Sequence, residues 1–345
     1  MKHFIFGIDS KHPAQCARML RERGIDAVVL GSTSMETAAA LAAEGIELYL
    51  CFGAYGIAKD TDRLAQDAFF QPRKWFNSGC PNDFENASKH LAAVLEKAAQ
   101  LPSVRGILVD GARFASFASV EGIESYFTCF CPRCMQALAE LGLDGEAIRK
   151  AVGRMMQTRR LSPDDHVLIQ QWLAFREKTV QRYMDDFAAR VHALRSDLIA
   201  GAFIFAPSLG AFVGQTANAC RSLDVISHML YRNYHQEFGV ACLGHEWAAL
   251  KEGFSSGAAA FLQTAPSFPR HVEQTPQELL AKGFEPEWIE CEVAQGRQSC
   301  LTGQQLWPII QIDDDRVHET AQHAFAGGAD AVGLFSYNNG EVPQF

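Results

Sequence analysis

Three thiols fall within six residues in Cys129-Phe130-Cys131-Pro132-Arg133-Cys134, a density that packing alone does not call for. Sulfurs spaced C-x-C-x2-C can converge on one soft ion, each at about 2.3 Å, and tetrahedral zinc requires one further donor. Cys80, in Asn77-Ser78-Gly79-Cys80-Pro81-Asn82, is the candidate for that fourth position. Four thiolates could also hold an iron–sulfur cluster. The isolated Cys16, Cys220 and Cys242 read instead as small buried hydrophobes. A second chemical signal lies just upstream. The apolar run Val104-Arg105-Gly106-Ile107-Leu108-Val109 ends on Asp110, with Arg113 three residues later. A carboxylate at a strand end beside a metal-stapled loop is an arrangement that suits an enzyme.

The elements that must position these groups alternate between short apolar runs and amphipathic helices. The pattern predicts strands over 3–8, 26–30, 46–52, 104–109, 198–205, 225–230, 306–312 and 331–335. Helices are expected over 13–23, 86–100 and 317–326, with a long one beginning at Pro163 and running through Trp172, Phe175, Val180, Phe187 and Val191. Thr33 followed by Glu36 predicts a capping box on an Ala-rich helix that Gly45 ends. Parallel strands in sequence need helical crossovers, and eight such units close most naturally as a (β/α)₈ TIM barrel. A doubly wound open sheet is the alternative. The long insertions follow strands three, four and six, which places them on one face and favours the barrel. The whole chain, 1–345, reads as one domain, with the insertion 111–160 carrying the thiol loop. Few residues follow the last strand, so something other than a full outer helix must cover that seam.

In a barrel the C-terminal strand ends surround the active-site mouth. Those ends supply Asp9, Asp110, His228 with Tyr231, Asp313 to Asp315, and Tyr337 with Asn338 and Asn339. Asp110 and Asp313 come from strands well apart around the ring, so they are the carboxyl pair expected to flank a substrate. Either could be the acid/base or the nucleophile. Asp314 and Asp315 are the better helix caps. An ion pair with Arg113 would lower the Asp110 pKa and suit a nucleophile. Asp9 is a candidate hydroxyl acceptor, and Glu246, in Gly244-His245-Glu246-Trp247, is a further carboxylate inside an insertion. Tyr55, Trp75, Tyr231, Trp247 and Tyr337 offer flat rings with a polar atom, as sugar binding requires, whereas Trp307 reads as structural.

Composition bounds these readings. Hydrophobic residues make up 48% of the 345, charged residues 21%, and the net charge is −9. That balance disfavours nucleic acid and anionic membrane as partners and fits a neutral small molecule. The first residues, Met1-Lys2-His3-Phe4-Ile5-Phe6-Gly7-Ile8-Asp9, have too short an apolar part for a signal peptide and read as a strand. A cytoplasmic location is expected, where ten reduced cysteines favour metal over disulfides. Gly53-Ala54-Tyr55-Gly56 completes neither a P-loop nor a dinucleotide fingerprint, and no serine-hydrolase elbow or zincin helix occurs.

Cys80 followed by Cys129, Cys131 and Cys134 resembles the zinc cluster of glycoside hydrolase family 42 β-galactosidases and related glycosidase-like barrels, in which a loop Cys precedes C-x-C-x2-C. The resemblance is tightest over residues 77–140. It implies a TIM barrel, a structural zinc, a carbohydrate substrate and a homo-oligomer. This chain departs from the family at the end of strand four, where Val109-Asp110-Gly111 stands in place of the Asn-Glu pair whose Glu is the acid/base. Two other functions fit part of the pattern. A barrel methyltransferase would use a metal held by only three Cys to activate a thiol, and a non-catalytic barrel would bind carbohydrate without turnover.

Overall fold

A computed structural model describes residues 2–9, 11–57, 63–119, 121–233, 242–254, 261, 272–312, 315–337 and 341–345. In chain order the elements begin β1 (Lys2–Phe6), α1 (Pro13–Glu22), β2 (Ala27–Leu30), α2 (Met35–Ala43), β3 (Glu47–Gly53) and the two-residue pair β4 (Ala65–Gln66) and β5 (Pro72–Arg73). They continue α3 (Phe84–Ala99), β6 (Val104–Asp110), α4 (Pro132–Glu140), α5 (Gly145–Thr158), α6 (His166–Leu194), β7 (Ile199–Ile204), α7 (Pro207–Gly210) and β8 (Val225–His228). The last are α8 (Leu243–Gly253), α9 (Pro276–Lys282), α10 (Pro286–Ser299), β9 (Gln305–Leu306), β10 (Ile309–Gln311), α11 (Val317–Ala326) and β11 (Ala331–Phe335).

Apart from the small antiparallel β4–β5 pair, every strand pairing is parallel, in the order β10-β11-β1-β2-β3-β6-β7-β8-β9. β9 and β10 are two halves of one strand interrupted at Trp307-Pro308. Proline has no N–H to give to a ladder, so a break there is expected. Before it the chain pairs with β8, and after it with β11. A parallel bridge between Met229 and Ile309 and the bond from Leu230 N to Ile309 O, 2.9 Å, complete the ring. The fold is a (β/α)₈ TIM barrel.

Local chemistry explains the boundaries. Pro13 opens α1, and Gly24 and Gly45, both at positive φ, follow the helices α1 and α2. The cap of α2 is Ser34, whose hydroxyl accepts from Thr37 N at 3.0 Å, one residue later than the Thr33 box expected from sequence. In α6 the residues Ile169, Trp172, Arg176, Val180, Tyr183, Phe187 and Val191 recur every three or four positions and are all buried. Inside the barrel, aromatic rings fill the space that glycines leave: a Cβ on Gly333 would lie 2.1 Å from the Phe4 ring. Trp307 joins this floor, 5.8 Å from Phe4 and 5.4 Å from Tyr49. After β11, residues 341–345 pack against the outside of the barrel near β1 and α1. Phe345 stacks on His3 at 4.1 Å, its N–H donates to Arg23 O, and Arg23 Nη1 donates to Val342 O. Among the described residues no helix is long and apolar enough to cross a membrane.

Candidate functional site

The four sulfurs singled out by spacing converge. Cys80 follows β3 and the small hairpin, Cys131 caps α4, and Cys134 lies in its first turn behind Pro132. The Sγ atoms of Cys80, Cys129, Cys131 and Cys134 all lie within 4.8 Å of one another, and all four residues are buried. Cys80 Sγ is 3.4 Å from that of Cys134 and 3.3 Å from that of Cys131. Tetrahedral zinc with bonds of about 2.3 Å needs sulfurs roughly 3.8 Å apart, so the cluster has the right scale. N–H groups already face the sulfurs: Gln66 N to Cys129 and Asn82 N to Cys80 at 3.4 Å, Asn82 Nδ2 to Cys134 at 3.3 Å. Such donors favour thiolate, as does the N-terminus of α4. The thiols compete for protons. Hydrogen bonds from Cys129, Cys134 and Cys80 draw Cys131 far down, while Cys129 pushes Cys80 up and burial pushes Cys134 up. Four buried sulfurs this close are compatible with a metal site, and a metal held by all four would have no open position.

Arg176 fastens this loop to α6. It is buried, and its guanidinium donates to Phe212 O at 2.6 Å and to the carbonyls of Tyr126 and Thr128. The same plane lies 3.8 Å from the Trp172 ring. Asn82 accepts from Thr179 Oγ1 at 3.3 Å, a second tie to the same helix.

Asp110 ends β6 and lines a cup at the C-terminal face of the barrel. The floor is formed by Phe6, Phe203, Met229, Ile309 and Phe335, and the wall by Trp75, Phe76, Ser78, Arg113 and Tyr231. Gly111, at positive φ, turns the chain so that its N–H donates to Asp110 Oδ1 at 2.6 Å. Burial raises the Asp110 pKa, and the Arg113 charge and the Gly111 N–H only partly oppose it. The expected ion pair with Arg113 does not form among the described residues, and the shift runs opposite to the one expected from sequence. Desolvation outweighs the nearby charge. Arg113 is instead held between the rings of Trp75 and Phe205, at 4.6 and 4.3 Å, with Nη1 donating to Phe114 O at 3.1 Å. Burial lowers its pKa to about 10, which leaves it cationic at neutral pH. Its Nε is buried and has no hydrogen-bond partner among the described residues.

Tyr231 joins the cup, its ring 4.7 Å from Phe335. The other sequence candidates lie elsewhere. Glu246, on α8, is buried behind the wall and accepts from Ser116 Oγ at 2.6 Å and Ala118 N at 3.0 Å, so it holds the 116–118 segment. Burial raises its pKa as well. Tyr55 is buried against Tyr183, 5.2 Å between rings, beneath the loop rather than in the cup. Asp9 accepts from Lys11 N at 2.9 Å in a local turn. Tyr337 continues β11, its N–H on Phe6 O, beside the cup without lining it. His228 points away from the lumen, its Nδ1 on Phe205 O. Asp313 and Asn338 lie outside the described residues. Ser78 and Arg176 were not expected from sequence, because nothing in their spacing marks a role that depends on tertiary packing.

No family model and no curated protein sequence matches the chain. Solved structures do. A β-galactosidase from the psychrophilic Marinomonas ef1 superposes with a TM-score of 0.67 at 14% identity, covering 100% of this chain and 55% of that one. A polyextremophilic β-galactosidase from the Antarctic haloarchaeon Halorubrum lacusprofundi gives 0.65 at 16% identity, with 100% and 54% covered. A GH42 β-galactosidase from G. stearothermophilus gives 0.50 at 11%, with 97% and 51% covered. What is shared is the fold. The chain spans about half the length of these enzymes.

Proposed function

We propose that this barrel is a glycoside hydrolase-like enzyme in which Asp110 and Asp313 act on a small saccharide or glycoside. The observation that carries the reading is the Asp110 carboxyl, at the end of the fourth barrel strand, with burial holding its proton more tightly than usual. A carboxyl so placed suits a general acid that protonates the leaving-group oxygen. Arg113, a cation in the wall, would favour a polar group of the sugar, and Trp75, Phe76 and Tyr231 offer faces for the apolar side of a ring. Asp313, two residues past β10, supplies the second carboxylate that glycoside hydrolysis needs. Cys80, Cys129, Cys131 and Cys134 would hold zinc as a staple between two loops, supplying folding free energy rather than a reactive water. The same reading takes a neutral carbohydrate as partner, with neither nucleic acid nor membrane, and a reducing cytoplasm as location.

Hydrolysis of a panel of aryl glycosides by the chain and by Asp110→Asn tests this. An acid at Asp110 gives an alkaline limb in kcat/KM, because activity falls as pH rises through its raised pKa. Asp110→Asn should lose 10²- to 10⁴-fold on poor leaving groups and much less on dinitrophenyl glycosides, which need no proton. Full retention of activity refutes the role. A second reading has support from one observation: Asp110 is the sole carboxylate among the described residues lining the cup. Sugar binding without turnover, unchanged in Asp110→Asn, would make the barrel a carbohydrate-binding module. The methyltransferase reading needs a three-Cys metal, and the closeness of Cys80 to the other sulfurs weighs against it.

A further inference from the structure

The ring of outer helices has a gap. Between β7 and β8, residues 205–224 form one short helix, α7, and a 3-10 turn over Ala211–Val213, instead of a crossover helix of several turns. The space so left, between α6 and α10, is a cavity of about 510 Å³, within the range that holds organic ligands. It is separate from the cup. Side chains alternate along a strand, so Phe203 faces the lumen while Ile204 faces the helix layer. Ile226 and His228 of β8 face the same way as Ile204, and Leu173, Pro207 and Cys220 add apolar wall.

His228 sets the chemistry of this space. The residue is only 6% exposed, and Nδ1 lies 2.6 Å from Phe205 O. A carbonyl can only accept, so Nδ1 carries the hydrogen and Nε2 presents a lone pair. Burial lowers the pKa to about 4, keeping the ring neutral at physiological pH. His228 lines the cavity, and its Nε2 has no hydrogen-bond partner among the described residues. Gly296 of α10, also in the lining, packs closely on one edge of the ring: a Cβ there would lie 2.9 Å from Nε2 and crowd it. Among the described residues no Lys or Arg lines the cavity, and Glu177, bonded to Asn218 Nδ2 at 2.6 Å, is in its lining. The remaining polar groups, including those of Gln170, Gln215, Thr216, Ser299 and Gln304, are neutral, so an anion would meet no cationic side chain there.

We propose that this cavity is a second ligand site, taking a neutral, largely apolar molecule that donates one O–H to His228 Nε2. The site stands independently of the glycosidase reading, and Asp110→Asn protein should bind such a ligand unchanged. A matched pair of probes isolates the hydrogen bond: p-cresol carries the donor, and toluene has the same ring without it. Calorimetric titration of the full chain should find p-cresol about tenfold tighter, the scale of one buried hydrogen bond. With ¹⁵N-histidine labelling, p-cresol should move the Nε2 resonance that is missing in His228→Phe, and toluene should not shift it as an acceptor. His228→Phe should abolish the p-cresol advantage, and Gly296→Ala should weaken both probes at least tenfold. Equal affinities, an unmoved His228 resonance, or no binding of either probe at millimolar concentration would overturn the proposal. The comparison on the unmutated chain decides the matter even if a variant does not fold.

Discussion

Replacing Arg176 by Met keeps most of the volume and removes every hydrogen bond the guanidinium makes. Three buried carbonyls, those of Phe212, Tyr126 and Thr128, then lose their donor. At about 1–2 kcal/mol each, and with about 1–2 kcal/mol for the lost stacking on Trp172, the gross loss is roughly 5–6 kcal/mol. Relief from burying a cation returns a few kcal/mol, leaving a net destabilisation of about 3 kcal/mol. At about 2.1 cal/mol/K per residue, the unfolding entropy is roughly 0.7 kcal/mol/K, so the melting temperature should fall by about 4 °C. The effect should also be local, because the Tyr126 and Thr128 carbonyls lie just before Cys129 in the chain. Zinc transfer to a chromogenic chelator should accelerate at a temperature where the protein is still folded. Arg176→Lys, which keeps charge but reaches fewer carbonyls, should fall between the two. A melting temperature within 1 °C of the parent with unchanged zinc transfer would mean that the guanidinium does not hold the loop.

Removing one sulfur with Cys80→Ala should reduce bound zinc from one per chain to a small fraction, measured by elemental analysis of dialysed protein. Stoichiometric zinc in this variant would exclude Cys80 as a ligand. The buried Glu246 has a raised pKa, so the stability its protonated form contributes is present below the ordinary carboxylate range and is lost as pH rises through the folded value. Glu246→Gln imitates the protonated form. The urea midpoint of the parent relative to this variant should therefore decline as pH rises above the ordinary carboxylate range and level off once the folded-state carboxyl has ionised. A difference that does not vary with pH would show that Glu246 titrates normally. Trp75→Ala removes one side of the Arg113 sandwich and should raise KM more than it lowers kcat in the glycoside assay.

The thiol cluster could be read from sequence because three of its sulfurs fall within six residues and their chemistry is restrictive. The barrel was legible for a similar reason: buried parallel strands are continuous apolar runs, and 331–335 and 317–326 match β11 and α11 residue for residue. Side-chain direction was harder. A strand-end reading placed His228 in the mouth, yet Ser227 and Met229 alternate with it, and Ser227 Oγ donates inward to Trp307 O at 2.6 Å. Strand parity would have found this, given the register. The direction of the Asp110 shift could not be read at all. It depends on the balance between desolvation and a cation held away by two aromatic rings, and those rings come from a distant loop and another strand end. Glu246 was misplaced because burial of an insertion helix leaves no trace in its own spacing.

The interruption at Trp307-Pro308 makes the barrel a hoop with a clasp. On one side of the join the segment pairs with β8, on the other with β11, and Ile309 reaches both. Breathing of the hoop should start at that point. Amide exchange ought to be fastest, among buried barrel positions, at Trp307, Leu230 and Gly333, whose N–H groups span the join.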